Sequence, residues 1–279
     1  MWQIRFITAS LWQSLSLHSS RRGATLALVI SLAARVYRET RKKHDQVFNR
    51  YFMRPLAAVL VAALTRTRVT PNQVTLLGLG VFVVATGMFV GLPGWIGGLA
   101  AVAVLELSYC LDCVDGMLAR FKSLASKEGH LFDFFTDELK AVLLVAALAV
   151  RAWRMGGFGV DGRRWEAGDA RFLLAGIAGV VVVASAVSLT TFMRHPEISG
   201  RAATVEAHYE TIDAKPMAGV ARIGGTLVTF LRFLNHYPSH LWLWALFGHL
   251  ETYLWLWMAL NGIYLARGWI GLARRFARN

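Results

Sequence analysis

Residues 111–137 read LDCVDGMLARFKSLASKEGHLFDFFTD, two pairs of acids at the ends of long apolar runs. Asp112 and Asp115 are three positions apart, and Asp133 and Asp137 four, so on helices each pair shares one face. The stretches that carry them, 94–120 and 129–152, are long enough to cross a bilayer, and residues 121–128 make a short turn between them. The two pairs are therefore expected to face each other at similar depth near one membrane boundary. Carboxylates in apolar spans are expensive and mark function until shown otherwise. Four of them converging in a low-dielectric site cannot all stay ionised without cations. Hard oxygen ligands select Mg²⁺ or Mn²⁺, and four carboxylates can bridge two such ions.

The small residues between the acids matter as much. Gly116, Ala119 and Gly129 leave a groove free of side chains, where an elongated ligand can approach the backbone. Arg120, two turns from Asp112 on the same helix, can pair with a phosphate or with one of the acids. A metal and an arginine beside a groove suit a diphosphate leaving group. A buried acid–arginine network that only locks two helices together is the plainer reading. Four acids with matched small residues would be a costly glue.

Outward from this stretch the chain is a membrane protein in composition. Of its 279 residues 56% are hydrophobic, in blocks of twenty or so, yet the formal charge is +13. The basic residues flank apolar spans rather than forming one patch, which argues for membrane lipids and against nucleic acid as the partner. Six transmembrane helices are expected, at 73–91, 94–120, 129–152, 170–193, 224–247 and 249–268. Thr70 should cap the first, with Pro71 at its first helical position. Asn235, His236, Tyr237 and Pro238 interrupt the fifth, which is either kinked or a surface helix followed by one long span.

The fold expected is thus an all-α integral membrane protein, its six spans preceded by N-terminal amphipathic helices on the interface. Residues 1–66 form that interfacial layer, with Arg50, Arg54 and Arg66 pointing at headgroups; 67–270 form the membrane domain; 271–279 form a basic tail. Six spans put both termini on one side, and their Lys and Arg content makes that side the cytoplasm. The loop 151–171 conflicts with this, because Arg151, Arg154, Arg163, Arg164 and Arg171 fall on the outer face. Cys110 and Cys113 make only half of a zinc site and are read as packing residues.

The pattern D-x₂-D-G-x₂-A-R-x₈-G-x₃-D-x₃-D resembles the signature of the CDP-alcohol phosphotransferase (CDP-alcohol phosphatidyltransferase) family. All eight fixed positions are present, as Asp112, Asp115, Gly116, Ala119, Arg120, Gly129, Asp133 and Asp137. Thr70-Pro71-Asn72-Gln73-Val74-Thr75 is similar to the start of that family's first span. The resemblance implies a homodimeric six-helix membrane enzyme of phospholipid biosynthesis, open to the cytoplasmic leaflet. It implies transfer of a phosphate-bearing group from a CDP-linked donor to a hydroxyl acceptor, with release of CMP. Asp112, Asp115 and Asp133 would be metal ligands, and Asp137 the general base touching the second Mg²⁺ or Mn²⁺. Gly116, Ala119, Arg120 and Gly129 would line the cytidine diphosphate site, with Asn72 beside them.

The donor expected is CDP-diacylglycerol; the alternative is a soluble CDP-choline or CDP-ethanolamine used with a lipid alcohol. Arg194, His195, Arg201 and Lys215 could bind a phosphorylated acceptor, though they also suit ordinary positive-inside residues. An intramembrane prenyltransferase would lack the Asp115-Gly116…Ala119-Arg120 continuation. A cation transporter would hold its acids near the bilayer midplane rather than at helix ends.

Overall fold

The computed structural model describes residues 28–42, 45–195, 198, 230, 233–234 and 236–277. The surface helix expected before residue 28, the Arg194 side chain, and Arg201 and Lys215 lie outside them. Helix α1 covers 28–39, and a π-helical turn, Asn49–Met53, runs into α2, Arg54–Leu64. Long helices follow: α3 (Pro71–Gly91), α4 (Gly94–Phe121), α5 (Lys127–Met155) and α6 (Ala170–Arg194). A two-stranded antiparallel hairpin, β1 (Gly157–Phe158) and β2 (Arg164–Trp165), separates α5 from α6, pairing Gly157 with Trp165. A 3₁₀ turn at Tyr237–Ser239, the short α7 (Leu241–Leu246) and α8 (Leu250–Phe276) complete the described chain.

Among the described residues, three helices are long and apolar enough to cross a membrane. They are α3, α4 and α6 to Met193, with mean hydropathy 2.2, 1.6 and 2.5. Helix α5 is long enough at 29 residues but carries Asp133, Asp137, Glu138, Lys140 and Arg151 along its length. Leu76, Leu77 and Val83 of α3 and Leu174, Ile177 and Val181 of α6 are exposed, as side chains that meet lipid would be. The expected fifth span, 224–247, is broken where it is described, because Pro238 cannot continue a helix and a 3₁₀ turn takes its place.

The first of these spans begins as its sequence dictates. Thr70 Oγ1 accepts from the Gln73 amide at 3.4 Å, and Gln73 Oε1 accepts from the Thr70 amide at 3.0 Å. This reciprocal capping box, with Pro71 between its members, leaves no doubt about where α3 starts.

The chain forms two compact units, and α3, α4 and α5 contribute to both. One unit comprises the chain up to Leu77 with Tyr109–Leu131. Its core joins Val36 of α1 and Ala57 and Val61 of α2 to Val74 of α3 and Val114, Met117 and Leu118 of α4. Cys110 and Cys113 pack here as free thiols. The expectation that Arg54 points at headgroups is wrong: it is 5% exposed and pairs with Asp45, nine residues upstream. The outward positions of α2 are instead Leu56, Val59 and Leu60.

The other unit comprises Gly78–Ser108 and the chain from Phe132 onward, with Phe82, Leu105, Leu144, Tyr253, Leu254 and Trp257 in its core. It also explains most of the arginine-rich loop. The Arg151 guanidinium donates to the carbonyls of Phe89 (3.2 Å), Leu92 (2.9 Å) and Gly94, and Arg154 donates to Val90. These carbonyls belong to the end of α3 and the bend after it, where the helix itself supplies no donor. Arg171 pairs with Asp169 at 2.7 Å and lies over the Trp165 ring at 4.1 Å. Its hydrogen bonds hold the Asp169 carboxyl below the usual carboxylate range. Three of the five arginines are thus committed to local contacts, which a rule that counts positive residues does not see.

Arg151→Met should therefore lower stability by about 2–3 kcal/mol, since it strands carbonyls that a charged donor satisfied. Arg163→Gln, at an exposed position, should change it by less than about 0.5 kcal/mol. Thermal unfolding of the two purified variants in one detergent checks both.

Candidate active site

The motif residues of α4 sit in the unit built on α1 and α2. Asp112 and Asp115 lie one turn apart, and Asp115 is only 3% exposed. The Thr75 hydroxyl, itself buried, donates to Asp115 Oδ2 at 2.5 Å. The capping box sets where α3 begins, and so brings Thr75 to this carboxylate one turn further on. The Arg120 guanidinium lies over Gly116: a Cβ there would stand 3.5 Å from Nη1 and 3.8 Å from Nη2. Ala119, one residue before Arg120, is half-buried.

The turn after α4 is shorter than expected, with only residues 122–126 outside the helices. Lys122 Nζ ties it to the carbonyls of Thr67 and Val69, at 2.9 and 3.1 Å. Ser126 caps α5 by accepting from the Gly129 amide at 3.0 Å. A Cβ at Gly129 would meet Asn72 Oδ1 at 3.1 Å and Ser126 Oγ at 3.2 Å. Glycine is thus the residue that lets Asn72 come this close, and the two candidates that sequence placed 57 positions apart are neighbours.

Asp133 and Asp137 lie one turn apart on α5, in the part of it that belongs to the other unit. Asp137 has a half-exposed side chain, and the fully buried Lys140 donates to its Oδ1 at 3.2 Å. An ammonium within an apolar helix needs such a partner. Among the described residues, no three of the His, Cys, Asp and Glu side chains gather into a metal-ligating group. The donor set of each acid pair is nonetheless all carboxylate oxygen, which suits Mg²⁺ or Mn²⁺ and not a softer ion. The histidines near Pro238 are held locally: His236 meets Ser239 Oγ at 2.6 Å, and His240 meets the Leu234 carbonyl at 2.9 Å.

Sequence reading passed over Asp45 and Lys140 and took Arg54 for a headgroup contact. Asn49, which donates to Asp45 Oδ1, accepts from the Tyr109 hydroxyl of α4 at 2.6 Å, so the N-terminal segment is tied to the helix that carries the motif. Lys140 offered one legible signal, a lysine three residues from an acid within an apolar run. Arg54 and Asp45 offered none, since they are nine apart and share no helical period.

A family model for CDP-alcohol phosphatidyltransferases matches residues 68–260, well over half of the chain. A search of curated proteins gives no significant match. The matched span holds the capping box, Asn72 and all eight motif positions. The chain therefore belongs to the CDP-alcohol phosphatidyltransferase family, and it is a transferase of phospholipid biosynthesis that acts between a CDP-alcohol and an alcohol.

Proposed function

We propose that this enzyme transfers a phosphatidyl group from CDP-diacylglycerol to a hydroxyl acceptor and releases CMP. The carrying observation is the motif itself, complete at all eight positions inside the family match. A lipid-tailed donor is favoured over a soluble CDP-alcohol by apolar surface on the unit that contains Arg120. The unit that holds it also exposes Leu56, Val59 and Leu60 on α2 and Leu76 and Leu77 on α3, apolar surface that acyl chains can use. Residues 67–270 would be the catalytic membrane domain, working as a homodimer with its site and both termini toward the cytoplasm. Residues 1–66 would be its interfacial layer and 271–279 a basic tail.

On this reading Asp112, Asp115 and Asp133 would hold two divalent ions, with Asp137 touching the second. Bound there, Mg²⁺ or Mn²⁺ would neutralise the donor diphosphate and stabilise departing CMP. The protein's own groups divide the remaining work. Thr75 fixes the Asp115 carboxylate by its hydroxyl, and Arg120 meets phosphate oxygens across the open face of Gly116. Gly129 and Asn72 would line the cytidine side, where the missing Cβ lets the Asn72 amide sit against the start of α5. Asp137 would take the proton of the acceptor hydroxyl, with Lys140 holding the carboxylate in one orientation. Its half-exposed position suits a base that must meet an arriving alcohol.

Purified protein given CDP-diacylglycerol, CDP-choline or CDP-ethanolamine in turn, with a panel of acceptors, should form CMP and a new phospholipid with the first donor only. Product formed from a soluble donor and diacylglycerol would replace this reading with the head-group transfer. Asp137→Asn should cut turnover by about 10²–10⁴-fold while CDP binding persists, as loss of a general base does. Asp112→Asn or Asp115→Asn should move the Mg²⁺ dependence of activity to higher concentration. A titration that overlays the wild type would remove that residue from the ligand set.

A further inference from the structure

A cavity of about 250 Å³ opens within the unit formed by Gly78–Ser108 and the chain from Phe132 onward. Its wall includes Trp95 from the start of α4, Arg151 from the end of α5, Phe158 and Arg164 from the hairpin, and His249 and Glu251 from the start of α8. Asp133 and Asp137 stand toward the other end of α5, with about 20 Å of helix between Asp137 and Arg151. The cavity is therefore no part of the site that those acids mark. Its place in the bilayer follows from the apolar helices: α4 starts at Gly94 and α6 at Ala170, both as they would enter a membrane. Trp165 meets Phe172 and Trp255 edge-on, at 5.1 and 5.6 Å, and Trp255 Nε1 donates to the Phe158 carbonyl at 2.8 Å. Tryptophans gathered at the end of a span mark the level of the lipid headgroups.

The wall carries charge of both signs. Arg151 is spent on the carbonyls of Phe89, Leu92 and Gly94. Glu251 is buried, its side chain only 10% exposed, and is used on one side only. The His249 ring at 3.1 Å and the Phe158 amide at 3.5 Å both meet Oε1, which leaves Oε2 free of those two bonds. A Cβ at Gly157 would stand 2.5 Å from Glu251 Cγ, so glycine there is what admits the carboxylate beside the hairpin. Its ion-pair partner among the described residues is the half-exposed His249, a cation only when protonated. A buried carboxylate so placed is short of positive charge. Arg164, one of the two loop arginines left over from the local contacts, is exposed and lines the same cavity.

We propose that this cavity binds the headgroup of an aminophospholipid from the surrounding leaflet, its ammonium against Glu251 and its phosphate against Arg164. A purely anionic headgroup would bring like charge to Glu251, and a simple cation would leave Arg164 unused; a zwitterion answers both. The volume falls just short of the about 300 Å³ at which pockets for drug-sized ligands begin, so it suits a headgroup whose acyl tails stay outside in lipid. The occupant is neither donor nor acceptor of the transfer reaction, and its binding stands whichever donor the enzyme uses.

The test uses the full chain in detergent, with dihexanoyl phosphatidylethanolamine as probe and calorimetric titration as readout. Wild type should bind it about tenfold more tightly than phosphatidylglycerol with the same tails, which has no ammonium to offer Glu251. Glu251→Gln keeps an acceptor for the Phe158 amide and should erase that preference. Arg164→Gln, at an exposed position, should weaken both lipids about tenfold, the value of one charge-assisted hydrogen bond. Should Glu251→Gln fail to fold, Arg164→Gln carries the test alone. Equal affinity of wild type for the two lipids, or a preference that survives in folded Glu251→Gln, would overturn the assignment. Affinity untouched by Arg164→Gln would overturn it too, since the lipid would then bind elsewhere. Glycerophosphoethanolamine, the same headgroup without tails, should bind more weakly than the lipid; binding as tight would make the ligand a soluble one and refute the membrane source.

Discussion

Charge buried among apolar helices has to be answered by a partner within a few ångströms, and this requirement organises both units of the structure. Asp115 is answered by the Thr75 hydroxyl, Arg54 by Asp45, Lys140 by Asp137, and Arg151 by carbonyls at the end of α3. Each answer is also a geometric constraint. Thr75 can reach Asp115 only if α3 starts at Pro71, and the reciprocal bonds of Thr70 and Gln73 hold it there. Arg151 serves Phe89 and Leu92 only if α3 stops near Gly91. The ends of the first apolar helix are thus pinned by polar contacts, while its length is left to hydrophobicity.

That division explains what was legible in the sequence. The long helices α3, α4, α5 and α6 fall within a few residues of the expected 73–91, 94–120, 129–152 and 170–193, because a twenty-residue apolar run has few other uses. The acid pairs and their small neighbours were legible because three- and four-residue spacings have one meaning on a helix. Partners separated in sequence were not. Nothing in the local pattern of 46–66 distinguishes an arginine aimed at headgroups from one folded under the helix, and the decisive residue, Asp45, precedes that stretch. The loop 151–171 misled for a related reason. The positive-inside rule treats arginines as interchangeable charges, whereas Arg151, Arg154 and Arg171 act here as hydrogen-bond donors with fixed acceptors.

The same distinction bears on how the site was read from its motif. A spacing pattern describes residues on one helix or on two joined by a short turn, so it captures Asp112 to Asp137 well. It cannot capture Thr75, forty positions before Asp115, nor Lys140, which lies just past the last fixed position. Both act on motif carboxylates through single contacts. They are the kind of support that holds a reacting group in one orientation, and the kind that spacing leaves silent.

Substrate choice follows from this logic more than from the acids. Aspartates, glycines and Arg120 recognise what every CDP-linked donor shares, namely the diphosphate and the cytidine, and so cannot by themselves separate a lipid donor from a soluble one. Discrimination has to come from surface that only one donor can use. Helix α2 offers such surface, because Leu56, Val59 and Leu60 face out while Arg54, at its start, is buried against Asp45. On the proposed reading that short helix would hold the tails of a lipid-linked nucleotide by its leucine and valine side chains. To a donor without tails the α2 surface would contribute nothing, and the motif alone would have to hold it.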